Sequence, residues 1–274
     1  MEATLENAIK SIQSLYPEIN LHIFVNSVSF ISDMIKVSNF SPNDVRITCS
    51  ISKDDRALLG VISRNQKKLG ESYPIASVND PVKKVNFYTS ACFEGCDILD
   101  PEGYTIVVTN AKLQHTQLDV ATEITQICGR IRDSKYKNQI LHIYTNATKK
   151  ITFIEHKNTL QIEKQAATEF IEEFNARTPT FRETLIDPLQ SSRQSVGISR
   201  YLSMNTESAK LELDSKMMQV DLYHLWLDQL VCSNATEGLA AEYAHFPFEV
   251  TKQWHNESDT KIPSKRSSFK KSFK

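Results

Sequence analysis

The chain has 274 residues, enough for one large or two modest domains, and its 24% charged and 40% hydrophobic content is ordinary for a globular protein. The formal net charge of −1 selects no partner by bulk charge, and no apolar run approaches the roughly 18 residues a membrane helix needs. Charge is unevenly placed: Lys261 to Lys274 holds six basic residues and no acid, which leaves seven excess acids in the rest.

The N-terminus, MEATLENAIKSIQSLYP, is acidic and amphipathic, unlike a signal peptide. Five scattered cysteines, an odd number, favour the cytoplasm or another reduced intracellular compartment. Leu5, Ile9, Ile12 and Leu15 predict a first helix that ends before Pro17. Leu21 to Val25 reads as a buried strand, and Ser27 as the N-cap of a helix carrying Phe30, Ile31, Met34, Ile35 and Val37. Val45 to Cys49 is a second strand, followed by a helix from Asp54 to Leu69 that ends at Gly70. Lys84 to Tyr88 and Tyr104 to Val108 are the third and fourth strands. Val120, Ile124, Ile127 and Ile131 mark a helical stripe, and Ile140 to Tyr144 is a fifth strand.

This alternation over residues 1–150 predicts an α/β domain with a mostly parallel sheet and flanking helices. Ligands of such sheets sit beyond the carboxyl ends of the strands, so the loops starting at Asn26, Ser50, Thr89 and Asn110 are where function is expected. Residues 151–260 read as a mainly helical extension. Asn158 to Ala176 is its long helix, residues 178–205 are mixed and turn-rich, and Leu222, Leu225, Trp226 and Leu230 form a later core stripe. Residues 261–274 read as a disordered basic tail, in which Phe269 and Phe273 interleave with lysines as in single-strand binders. The alternative is a plain solvated terminus.

Cys92 and Cys96 are separated by three residues, with no second ligand pair nearby and not the two-residue gap of catalytic dithiols. No metal site is expected. The loop around them is the more informative part. Thr89 and Ser90 leave the strand as hydroxyls, and Gly95 and Asp97 follow, a composition suited to gripping phosphate, with a carboxylate for a ribose or an arginine. A second group is Gln126-Ile-Cys-Gly129-Arg130-Ile-Arg132. Gln126 and Arg130 share a helix face, and Gly129 in a helix interior costs roughly 1 kcal/mol against Ala. Arg130 and Arg132 lie about 200° apart on an ideal helix, so one ligand meets both only if the helix ends near Ile131. Arginine forks bind phosphate oxygens bidentately, while the bland alternative pairs both arginines with Glu123 and Asp133.

In combination, the Thr-Ser…Gly-x-Asp loop and the Q-x-x-G-R-x-R segment one strand later resemble motifs V and VI of the C-terminal, RecA-like motor domain of superfamily 2 helicases. Ile23 to Ile35 is similar to motif IV, and TSACFEGCDI resembles in spelling the herpesvirus origin-binding helicases and related phage or plasmid replication proteins. The two-arginine spacing also resembles the Dicer-type branch. The resemblance covers roughly residues 20–145. It implies that Arg130 and Arg132 are arginine fingers for ATP bound on a partner domain, with Gln126 positioning the nucleotide or its attacking water. Gly95, Asp97 and Gly129 would lie at the nucleotide, and Asn26, Ser27, Thr89 and Ser90 on a single- or double-stranded DNA track, with RNA as the alternative.

One departure limits that implication. None of the seven glycines precedes Lys-Ser or Lys-Thr, so no Walker A loop is present to hold ATP and Mg2+, nor is there an Asp-Glu-x-His/Asp sequence for the metal. The segment at Gly129 also lacks the longer G-R-x-G-R form. A Walker A/B domain, in cis or in trans, is therefore an expected partner, and this chain alone is not expected to hydrolyse ATP. Two other readings remain open. One is a non-enzymatic nucleic-acid- or protein-binding module derived from such a domain, and the other a phosphate-binding α/β protein of another family.

Overall fold

The computed structural model describes residues 1–51, 63–145, 153–192, 198–205, 207–228, 235–246 and 248–251. The first part of the helix expected from Asp54, together with Leu230, Cys232 and the basic tail, lies outside them. Among the described residues, no helix is long and apolar enough to cross a membrane.

The chain divides into two compact units, one formed by Met1–Asn146 with Ala235–Lys274 and the other by Ala147–Asn234. The first is an α/β unit, as expected. Its strands are β1 (Asn20–Phe24), β2 (Val45–Thr48), β3 (Val85–Tyr88), β4 (Gly103–Asn110) and β5 (Ile140–Thr145). They form one sheet in the order β2-β3-β1-β4-β5, parallel throughout. The helices are α1 (Glu2–Leu15), α2 (Val28–Ser38), α3 (Arg64–Leu69), α4 (Thr125–Cys128) and, from the far end of the chain, α8 (Ala235–Ala244). Parallel strands need helical crossovers, which is why the sheet is covered rather than open to water.

Strand side chains alternate between faces, and here the two sets differ in kind. Leu21, Ile23, Val45, Ile47, Val85, Phe87, Ile106 and Val108 make one apolar face and join Leu5 and Ile9 of α1 and Ile31 and Met34 of α2 in a continuous core. Ser27 starts α2 as predicted, its hydroxyl accepting from the Phe30 amide, and Asn39 ends it in the left-handed region.

The other face carries Arg46, Asn86, His22 and Thr105 in one register row across four strands. All four are buried, and Asn86 and His22 are fully enclosed. His22 Nε2 donates to Asp100 at 2.8 Å, while its Nδ1 accepts from the Tyr88 hydroxyl at 2.9 Å. Arg46 donates to the same hydroxyl and to the Asp80 carbonyl. Burial drives the His22 pKa down despite Asp100, and so favours the neutral ring that this pattern requires. Burial alone would raise the Asp100 pKa. Hydrogen bonds from His22, Asn20 and the Glu102 amide outweigh it, so the carboxyl lies below its ordinary value. Gly103 makes room for this arrangement: an added Cβ would stand 3.0 Å from His22 Nε2 and 3.1 Å from the Asp100 carbonyl oxygen.

The second unit holds α5 (Phe153–Ala176), α6 (Pro179–Ser192), an antiparallel hairpin of β6 (Leu202–Asn205) and β7 (Lys210–Leu213), and α7 (Ser215–Asp228). The hairpin is the strand component of a unit that is otherwise mainly helical, as the sequence pattern suggested. Asn175 explains part of its placement, since its side-chain amide exchanges two 2.9 Å bonds with the Leu211 backbone and so couples α5 to β7. Leu160, Ala167, Phe174, Tyr201, Leu202 and Leu211 form the core of this unit. The described residues of the segment from Ala235 to Thr251 group with the first unit. Tyr243 of α8 shows how: its hydroxyl bonds His142 of β5 at 2.8 Å.

Candidate functional site

All five strands run the same way, so their following loops gather at one edge. The loop after β3 begins with buried Thr89, whose amide donates to the Thr48 carbonyl at 3.1 Å, and with exposed Ser90. Ser90 to Cys92 form a 3-10 turn, and Gly95 follows at φ +73, a conformation that favours glycine. This reversal sends the chain through Cys96 and Asp97 to Ile98.

Ile98 then makes a parallel bridge to Ile131. Its amide donates to the Arg130 carbonyl at 2.9 Å, and the Arg132 amide donates to its carbonyl at 3.1 Å. The two separate sequence motifs are thus joined through their backbones. The helix expected to continue to Ile131 is shorter than its stripe. A π turn at Val120–Ile124 leads into α4, which ends at Cys128. Gly129 is therefore a C-cap with φ −86 rather than a helix-interior residue, and its added Cβ would make only an ordinary 3.5 Å contact.

This early end answers the geometric condition on the two arginines. Arg130 and Arg132 flank an extended bridging residue, so they follow strand alternation and not the helical wheel. Both reach the same loop. Arg130 Nη1 donates to the Cys96 carbonyl at 3.1 Å and its Nε to the Gln126 carbonyl at 2.9 Å. Arg132 Nε donates to Asp97 at 2.8 Å, with both side chains more than half exposed. The suggested pairing with Glu123 and Asp133 does not occur: Glu123 accepts from the Asp119 amide, and Asp133 from the Asp100 amide. Among the described residues, the Arg130 guanidinium hydrogen-bonds only to backbone carbonyls and forms no ion pair with a carboxylate. Gln126 adds a buried side-chain oxygen with no hydrogen-bond partner.

Asn26 and Ser27 belong to a neighbouring arrangement. Asn26 Nδ2 donates to the His115 carbonyl at 2.7 Å and its Oδ1 accepts from the Ser90 amide at 3.3 Å, so one side chain ties the loops after β1, β3 and β4. Ser27 is buried and spends its oxygen on the helix cap. Of the four expected track residues, Ser90 alone presents an exposed side chain, while Asn26 is half-buried.

The thiols are poor ligands and nucleophiles as they stand. Burial pushes Cys92 up to about 12, with the Cys96 thiol beside it adding to the shift, and pushes Cys49 and Cys128 up to about 11. Cys92 is buried, whereas Cys96 and Cys128 are half-buried. Among the described residues, no group of three His, Cys, Asp or Glu side chains is placed to hold a metal ion. Sequence reasoning missed Glu123, which burial pushes up to about 7, with the charges of Asp119 and Glu94 adding to the shift and the hydrogen bond from the Asp119 amide opposing it.

No protein-family model, curated protein or solved structure matches this chain at the significance required of a match.

Proposed function

We propose that the α/β unit is the second motor domain of a superfamily 2 nucleic-acid helicase or translocase. In this reading it supplies Arg130 and Arg132 to ATP held on a Walker A/B domain, and the loops after β1 and β3 to a DNA track. The observation that carries the reading is the convergence of the 96–97 loop with Arg130 and Arg132 through the Ile98–Ile131 bridge. A guanidinium with no carboxylate ion pair among the described residues, beside a second, weakly held one, suits the anionic oxygens of a transferring phosphoryl group. The described residues fit the phosphate part of this role. They offer no carboxylate cluster for Mg2+, which falls to the partner domain together with most ATP contacts. The work would take place in a reduced intracellular compartment.

The test pairs the full chain with the ATPase domain that accompanies it. Arg130→Ala should lower ATP turnover by about 10³–10⁵, the range for arginine fingers, while leaving oligonucleotide affinity nearly intact. Full turnover in that variant would remove the finger assignment. A second reading, a non-enzymatic binding module, is favoured by how much of Asn26, Ser27 and Thr89 is committed to holding loops. Under it the same variant is silent.

A further inference from the structure

The thiols of Cys92 and Cys96 take no part in that reading, and the fold nevertheless brings them together. The 3-10 turn at Ser90–Cys92 followed by Gly95 at φ +73 folds the segment back on itself. Cys96 Sγ comes to rest 2.9 Å from the Cys92 carbonyl oxygen, to which its thiol donates. A reverse turn that lays one cysteine's sulfur on the other's own carbonyl sets the two residues side by side, which a disulfide between them requires. Cys92 is 1% exposed, whereas Cys96 is half-buried and open to a small reagent.

We propose that Cys92 and Cys96 form a reversible disulfide, a redox modification site built into the loop between Thr89 and Asp97. The oxidant is a small-molecule disulfide of the glutathione class. The Cys96 thiol gives up its proton, and its sulfur attacks one sulfur of the oxidant. The oxidant's S–S bond breaks, and one thiolate leaves and takes up a proton. The Cys92 thiol then gives up its proton, and its sulfur attacks Cys96 Sγ in the mixed disulfide and releases the second thiol. Two protein thiols and one small disulfide become one protein disulfide and two small thiols, with two electrons passed to the oxidant. Because burial keeps both thiols protonated, the exchange is slow at neutral pH. The consequence is local: Cys96 supplies the carbonyl that anchors Arg130 Nη1, so closing the loop on Cys92 alters how that arginine is held. This proposal does not depend on the helicase reading.

The full chain, equilibrated with glutathione disulfide, quenched in acid, then alkylated in denaturant and mapped by peptide mass, decides the matter. The expected product is an internal Cys92–Cys96 link that reduced glutathione reverses, with slower hydrogen exchange over residues 90–97. Cys96→Ser, at a half-buried position and easily tolerated, should leave Cys92 fully alkylatable, and Cys128→Ser should oxidise like the parent. The proposal is overturned if Cys92 and Cys96 both remain alkylatable, if Cys92 links to Cys49 instead, or if Cys96 stops at the mixed disulfide.

Discussion

The two faces of the five-stranded sheet are built from the same strands and held by different physics. On one face, Leu21, Ile23, Val45, Ile47, Val85 and Phe87 meet helices α1 and α2 through contacts that are numerous, non-directional and interchangeable. On the other, Arg46, Tyr88, His22 and Asp100 make a chain of directional bonds in which each group depends on the next. The lesson is about failure. An apolar face loses stability in proportion to the volume removed, whereas a buried polar chain loses it according to which partner is left unsatisfied.

The largest expected effect lies on the apolar face. Phe87→Ala should cost about 3–5 kcal/mol in denaturant unfolding, and a loss below about 1 kcal/mol would show that the face repacks freely. On the polar face, Asp100→Ala should approach that cost because it strands His22, Asn20 and the Glu102 amide together. A double-mutant cycle between His22 and Asp100 sharpens the contrast. It should show coupling of roughly 0.5–3 kcal/mol, while Phe87 and Asp100 should be additive.

Acid should separate the faces next. His142 on the polar face is pushed down to about 4 by burial, from an ordinary value of 6.5. The unfolded chain therefore binds the extra proton first, and stability should fall as pH drops from 6.5 towards 4. His22, also shifted down, acts in the same direction. Glu123 opposes them. Its folded value of about 7 stands above the ordinary 4.5, so its contribution is fully present below 4.5 and is lost as pH rises through 7. A midpoint that falls less steeply from pH 6.5 to 5 in His142→Phe than in the parent would assign that difference to His142, leaving His22 and Glu123 to set the remaining slope. The smallest change is expected at the exposed edge. Asp97→Ala should alter stability by less than about 1 kcal/mol, since its pair with Arg132 is solvated on both sides.

The apolar face was legible because alternation places one kind of residue on one side. The polar face was legible in principle and passed over: VRIT, LHIF, VNFY and YTIV each carry one polar residue second in an otherwise strand-like run. Read one at a time, these look like tolerated exceptions, and only the register shows them as a single row. At the site, the sequence singled out positions 89–97 and 126–132, and the fold brings these two stretches together. The stripe through Ile131 then misplaced the helix end, because a buried isoleucine in a bridging segment has the same spacing as one on a helix. The commitment of Asn26 to His115 and Ser90 could not be read at all, since it spans three loops far apart in sequence.

Strand order carries a consequence for synthesis. β1 and β2 are consecutive in the chain and never touch, because β3 lies between them. A nascent polypeptide that has left the ribosome only as far as Lys84 holds two apolar strands with no edge to share. The first ladder of the sheet must wait for Val85 to Tyr88, and the other side of β1 for Gly103 to Val107. Until then both strands expose unpaired backbone to whatever other chains are near, which makes this early interval the one in which a chaperone has most to protect.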